Sequence, residues 1–485
     1  MDLKGLKVHE LIELINNREL KIEEINSYYI NRIKDLDNKI GAFIYVDYEN
    51  VNKEAKKMDK LLDQGKDIGP LKGIPIGIKD NINVIGMKTT CASKILKGYI
   101  SPYNATIVDN LTENGAIIMG KTNMDEFGMG STGENSAYKI TRNPIDLNRV
   151  PGGSSSGSAA ATSSEEVPIS LGTDTGGSIR RPASYCGLVG LKPTYGSISR
   201  YGVVSFASTL DTVGILSKDV EDSALMYSLL RGKDKKDSTT VHMKNMEYKN
   251  NLKKSLKGYK IAIPIDIIKD NKGFMKRHIE EAAKVLKSMG ADIKYISMES
   301  LDYATKIYYI LSSAEASSNL GRFDGIRYGY NSGKYNSVGD MYSNTRTYGF
   351  NKEVKKRILF GTYALSKNHY EDYYIKSLKL REKLTNSFRN ILKEYDAIII
   401  PTTNSVAEII GTFDINNANT YSEDLYTVIA NLTGMPAISI PCAIENGLPL
   451  GMQIITDYFR EDMLFNIAYS FERATNYGGK IKLNL

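Results

Sequence analysis

The sequence predicts an α/β protein in which a large β-sheet is covered by helices on both faces. Three observations carry that prediction. Helical and strand periodicities alternate along most of the chain, the pattern that places helices against a sheet. The composition, 41% hydrophobic and 25% charged over 485 residues, is that of an ordinary soluble globular protein. No segment repeats at a fixed period, which excludes solenoids and propellers. A chain of this length holds two or three average domains or one large α/β domain with insertions.

In order along the chain, "IEEINSYYINRIKDL" (residues 22–36) has apolar residues at helical spacing, and "GAFIYVD" (41–47) then reads as a strand. "NVNKEAKKMDKLLDQGK" (50–66) is helical, and "LKGIPIGIK" (71–79) is a short apolar run between Gly and polar residues. "TIVDNLTENG" (106–115) ends in a glycine suited to a helix C-terminus, and "AIIMG" (116–120) follows as a strand. Later come "YKIAIPID", "FMKRHIEEAAKVLKSMG", "ADIKYISM", "YDAIIIPTT", "LPLGMQIIT" and a closing helix "EDMLFNIAYSFERAT" (461–475). The organisation expected is one domain over 1–485. It comprises an N-terminal helical segment (1–65), a motif-bearing core (70–215), a polar connection (231–260) and a second half (261–485).

The first residues, "MDLKGLKVHELIELINN", lack a basic stretch followed by an apolar one, so no signal peptide is expected. No apolar run approaches the roughly 18 residues of a membrane span. Cys91, Cys186 and Cys442 are scattered and odd in number, which argues against a disulfide framework and a four-ligand metal site. A cytoplasmic protein is expected. Lys+Arg exceeds Asp+Glu by 63 to 56, a net +7 that is weak evidence for nucleic acid over such a length. The histidines, His9, His242, His278 and His369, stand outside every Gly- or Ser-rich stretch, although a Ser-His-Asp triad assembled across space stays open.

Two motif matches fail on their physics. "GAIIMGKT" (115–122) fits G-x-x-x-x-G-K-[ST], but its inner residues Ala116, Ile117, Ile118 and Met119 look like a strand rather than a bare phosphate-binding loop. "GMGSTG" (128–133) fits G-x-G-x-x-G without the strand before or the helix after that a dinucleotide site needs. It reads as a turn-rich loop whose amides line a pocket.

The oddest composition is "PGGSSSGSAA" (151–160). A Gly/Ser run is usually a spacer. This one instead leads into the small-residue stretch "SAAATSS", and a second Gly/Ser loop, "GTDTGGSIRRPAS", follows the apolar "VPISL". A lysine, Lys79, ends the apolar "GIPIGIKDN" upstream. In this order and spacing the three segments resemble the amidase signature family. "TTCASKIL", "GKTNMDEFGMGSTGENSAY", "LVGLKPTYGSISRYGVVSFASTLD", "SSAEASSNLGRFDGIRYG" and "NLTGMPAISIPC" extend the resemblance from Leu6 to Phe471. They do so toward the glutaminase branch that serves tRNA-dependent amidation.

The resemblance implies the amidase signature fold, a single large mixed sheet sandwiched between helices. It also implies a Ser-Ser-Lys triad with Ser178 as nucleophile, Ser154 as bridging serine after a cis Gly153–Ser154 peptide, and Lys79 as base. The residue types suit the task, because a serine hydroxyl attacks well only when a neighbour takes its proton. A lysine can do so only when neutral, so its usual pKa of about 10.4 must fall by roughly 3, about 4 kcal/mol of differential interaction. Burial in an apolar segment such as "GIPIGI" works in that direction. Backbone N–H groups of Thr175, Gly176 and Gly177, together with that of Ser178, would form the oxyanion hole.

For a glutamine substrate the resemblance places Asp424 at the ammonium, Arg357 at the carboxylate and Tyr309 along the wall. Arg suits a carboxylate through its planar fork, but the residues alone do not separate Arg357 from Lys355 or Lys356. Three positions depart from the family pattern: Ser156 replaces a glycine, Gly133 a threonine, and Arg181 a glutamine. Arg181 adds a charge beside the nucleophile loop.

The implied partners are the B and C subunits of a three-subunit amidotransferase, with Glu-tRNA(Gln) reached through the complex and no membrane. No cofactor or metal is implied in this chain; ATP and magnesium belong to the B subunit. A free-standing amidase acting on another small amide is the second reading, and a nucleotide- or RNA-binding protein the third.

Overall fold

In a computed structural model of the chain, residues 3–244, 246–253, 255–269, 274–298, 301–333, 335–412 and 424–484 are described. Their strands are β1 (Phe43–Val46), β2 (Pro75–Lys79), β3 (Ile117–Thr122), β4 (Ile169–Asp174), β5 (Val189–Lys192) and β6 (Thr212–Ser217) in the first half. The second half adds β7 (Lys260–Pro264), β8 (Asp292–Ile296), β9 (Ala397–Pro401), β10 (Ala437–Glu445) and β11 (Leu448–Ile455). All eleven join one sheet in the order β1-β3-β2-β4-β6-β5-β10-β11-β9-β7-β8. The pairs β2–β3, β2–β4, β7–β8 and β7–β9 are parallel and the others antiparallel, so the sheet is mixed, as expected.

The central strands carry no alternation: every residue of β2, β3, β4 and β6 is buried. Strands covered on both faces need apolar or internally satisfied residues throughout. The helix Ile22–Ile40 stops at Gly41, which takes φ 73°, the left-handed conformation that glycine adopts without a steric penalty. The "GAIIMGKT" stretch is strand β3, buried and paired with β2, which accounts for the failure of its phosphate-loop match. β10 is an element that the sequence pattern does not anticipate. It runs into β11 through Asn446-Gly447, both at positive φ (52° and 81°), the pair a tight hairpin turn favours.

The polar connection 231–260 is less solvated than its composition suggests. Tyr248 is buried, its ring centroid 5.1 Å from Tyr227 and 5.6 Å from Phe465, and Leu256 is buried as well. Among the described residues, no helix is long and apolar enough to cross a membrane.

Candidate active site

The site forms where β2 and β4 end side by side. The apolar run Pro75–Ile78 carries Lys79 to the end of β2, where it is fully buried. Its Nζ lies 2.9 Å from each of Ser154 Oγ, Ser155 Oγ and Thr173 Oγ1, and 3.3 Å from Thr173 O. Burial holds its pKa down, at about 7, against the upward pull of Asp125, Asp174 and Asp211. Near neutrality a large share of the lysine is therefore an amine, which has a lone pair to accept the proton of a serine hydroxyl.

Ser154 follows a cis Gly153–Ser154 peptide and lies two residues before the helix Ser156–Ser163, every residue of which is buried. Ser155 N–H donates to Ser178 O at 3.1 Å, tying the two Gly/Ser loops together. Among the described residues, Ser178 Oγ makes no hydrogen bond. The structure thus joins Lys79 to Ser154 directly, while Ser178 stands at the cavity wall with its hydroxyl unengaged by Ser154.

Asp174 fixes the nucleophile loop. Its carboxylate accepts N–H groups from Gly177 (2.8 Å) and Ile179 (3.1 Å), from Arg180 Nε (3.1 Å) and Nη2 (3.0 Å), and from Asn431 Nδ2 (2.9 Å). Burial raises the carboxyl's pKa, but the Arg180 charge and these hydrogen bonds outweigh it and hold the group at about 2. Arg180, itself fully buried, also donates to Gln453 and Asn431, each at 2.7 Å.

One expectation is corrected here. The Gly177 N–H is already bonded to Asp174, so it is not available to an oxyanion. The N–H groups of Thr175, Gly176 and Ser178 donate to no group among the described residues and are the remaining candidates. Glycine is required at two of these positions: Gly177 has φ 123°, and a Cβ at Gly176 would run into the Tyr308 ring.

The cavity at Ser178 is lined by Arg181, Tyr309, Glu353, Arg357 and Asp424, and also by Gly128, Gly130 and Ser131. The "GMGSTG" loop thus does line a pocket. Tyr309, on the helix Asp302–Asn319, donates its hydroxyl to Asp424 Oδ2, at the start of the helix Leu425–Thr433. Arg357 lies 4.2 Å over the Tyr309 ring, and its Nε donates to Glu353 Oε1 at 2.6 Å. Burial distinguishes Arg357 from its neighbours, since Lys355 is half-buried and Lys356 exposed. The departure residue Arg181 donates through Nη2 to Asp424 Oδ1 at 2.6 Å.

Ser178 and the three expected substrate residues line one cavity with Gly153, while Lys79 and Ser154 pair with each other and are linked to Ser178 through the Ser155 N–H on Ser178 O. No histidine lines the cavity: His9 bonds Asp222, His278 faces Glu281 and Glu445, His369 stacks on Tyr363, and His242 is exposed. A Ser-His-Asp arrangement is thereby set aside. Sequence reasoning misses Ser155 and Thr173 on Lys79, and Asp174 with its partners Arg180, Asn431 and Gln453. Ser155, Thr173, Asp174 and Arg180 stand inside the quoted motifs. Glu353 is findable as the residue four before Arg357 on one helix. Asn431 and Gln453 have no local signal.

The whole chain has relatives. A family model described as Amidase matches residues 24–465. The A subunit of glutamyl-tRNA(Gln) amidotransferase from Clostridium botulinum (strain Okra / Type B1) is 52% identical over 478 residues, covering 98% of this chain and 99% of the relative. That of Clostridium novyi (strain NT) is similar to the same degree and with the same coverage. Among solved structures, the A subunit of glutamyl-tRNA(Gln) amidotransferase from Thermotoga maritima superposes with a TM-score of 0.80 at 39% identity, covering 98% of this chain and 95% of that one. The peptide amidase of Stenotrophomonas maltophilia gives 0.85 at 27% identity, covering 100% and 99%.

Proposed function

Because the chain belongs to the amidase family, we propose that it hydrolyses the side-chain amide of glutamine through Lys79, Ser154 and Ser178. It supplies the ammonia to a three-subunit amidotransferase that converts Glu-tRNA(Gln) to Gln-tRNA(Gln). The observation that carries the chemistry is the buried Lys79 Nζ, 2.9 Å from Ser154 Oγ, with its pKa held down at about 7. The tRNA-linked role rests on the 52% identity to amidotransferase A subunits over 98% of the chain.

Neutral Lys79, relayed by Ser154, takes the Ser178 proton as Ser178 Oγ bonds to the carboxamide carbon. The oxyanion of the tetrahedral intermediate is met by backbone N–H groups of Thr175, Gly176 and Ser178. The same relay returns the proton to the amide nitrogen, the C–N bond breaks, and ammonia leaves an acyl-Ser178 ester. Water, deprotonated by the relay, then cleaves the ester to give glutamate and the free serine. Asp424 and Tyr309 receive the substrate's ammonium and Arg357 its carboxylate. The B subunit would use ATP and magnesium to activate Glu-tRNA(Gln), with the C subunit as the third member.

The test is ammonia release from glutamine by the purified chain, alone and with the B and C subunits, Glu-tRNA(Gln) and ATP. Release lost by about 10³-fold or more in Ser178→Ala, and rising with the partners, is the expected outcome. Serine-dependent hydrolysis of other amides that ignores the partners would replace this reading with a free-standing amidase.

A further inference from the structure

The proposed reaction gives Arg181 no part, yet Arg181 holds the most contested position in the cavity. Its guanidinium donates to Asp424 Oδ1 at 2.6 Å, with both side chains nearly sealed from solvent (3% and 11% exposed). The other Asp424 oxygen holds the Tyr309 hydroxyl. This is the carboxylate to which the glutamine reading assigns the substrate's ammonium. A guanidinium and an ammonium are both cations, and pairing both with one buried carboxylate would leave a positive charge uncompensated.

Other parts of the cavity are pinned. Arg357 is tied to Glu353 at 2.6 Å and stacked on Tyr309, and Gly176 and Gly177 are packed against Tyr308 and Thr427. The α-ammonium of an amino acid pairs with Asp424 only at the expense of the cation already there, Arg181. Of the side chains on Asp424, Tyr309 is neutral, so it is Arg181 whose withdrawal removes a positive charge from the carboxylate.

We propose that Arg181 is a specificity-determining residue that stands in for the substrate's ammonium in the empty site, so that glutamine binds by displacing it from Asp424. The inference rests on glutamine being the substrate. Opening a buried ion pair is costly unless the exposed charge finds a new partner. A ligand bearing an α-ammonium re-pairs Asp424; an amide without one does not, and leaves the Arg181–Asp424 pair closed. Arg181 therefore lowers affinity for the α-amino group while leaving contacts to the carboxylate and amide alone.

The test compares dissociation constants of L-glutamine and of 4-carbamoylbutanoate, which is glutamine without its α-amino group. They are measured by titration calorimetry on the full chain carrying Ser178→Ala, so that neither ligand is consumed. Arg181→Gln, the residue the family pattern places here, frees Asp424. The ratio of the two constants should then move in favour of glutamine by at least about tenfold, the lower end of coupling between close charge pairs. Arg181→Met, a second neutral side chain of similar length, should do the same, while Arg181→Lys should retain the original ratio. An unchanged ratio in the neutral variants, an equal shift for both ligands, or no glutamine binding to any version overturns the inference. Failure of the glutaminase reading is seen separately, as absence of Ser178-dependent ammonia release with Ser178 in place, and leaves the affinity comparison standing.

Discussion

Burial and nearby carboxylates act on Lys79 in opposite directions, and the balance between them sets when it can work as a base. Burial disfavours the ammonium, while Asp125, Asp174 and Asp211 favour it, leaving the group half-charged near pH 7. The active form is the amine, so kcat/KM for glutamine should climb with pH through a midpoint near 7 and then level off. Below that midpoint the cation has no lone pair to accept the Ser154 proton. Lys79→Arg keeps a long cationic side chain but is never deprotonated in proteins, so it should be inactive over the whole range. A pH–rate profile of both proteins checks this; a flat wild-type profile between pH 6 and about 9 would remove Lys79 from the base's role. Lys79, Ser154 and Ser178 are legible because three motifs in fixed order carry them. Ser155 and Thr173 stand in the same motifs without being singled out, because nothing in a string of residues says which hydroxyls face one buried nitrogen. The pairing of Arg181 with Asp424 spans 243 positions and has no local trace.

Among the elements, the helix Ser156–Ser163 does the positioning, and its glycine shows how little room it has. A Cβ at Gly157 would run into Ala42 O and Asn123 N, and would lie 2.7 Å from Asn123 O. These are backbone atoms that cannot rotate away. Gly157→Ala should therefore destabilise the protein by about 1–3 kcal/mol, the usual range for overpacking. It should also lower kcat, because the strain falls on the helix start, one turn from the serines held against Lys79. Gly339→Ala is the matched control: it lies in the helix Val338–Gly349 with nothing nearer than Ser337 Oγ at 3.7 Å. There the substitution should be neutral or stabilising by up to about 1 kcal/mol. Denaturant melts and turnover of both variants test the contrast; equal effects at the two positions would refute it. Elements with their own period are readable from the sequence. The closing helix Glu461–Thr475 and strands β2, β3 and β8 fall where the pattern puts them. β10 is hard to read although Asn446-Gly447 is a strong hairpin signal, because its run AISIPCAIE is buried along most of its length and is interrupted by Pro441, so it shows no clean alternation. The strand order is not readable at all, since it depends on pairings between distant segments.

Over the whole molecule, the two halves of the chain do not own separate sheets. β5 of the first half pairs antiparallel with β10 of the second, through Gly190–Lys192 and Ala437–Ser439. The nucleophile loop is held across the same seam: Asn431 Nδ2 donates to Asp174, and Arg180 donates to Gln453. Asp424 and Arg357, which line the same cavity as Ser178, also come from the second half. The single-domain organisation expected from the sequence therefore makes a specific prediction about cutting the chain. If a protease site is inserted in the connection at 244–246 and cleaved in the folded protein, the two fragments should co-elute on a sizing column and retain Ser178-dependent ammonia release. Expressed separately, neither fragment should be soluble and folded, because each would expose a buried strand as a bare edge, a template for aggregation. Fragments that separate under native conditions, or a first half that folds by itself, would mean that the β5–β10 seam joins two independent domains. The site would then be an interface between them, and substrate binding by Asp424 and Arg357 would depend on how the two are held together.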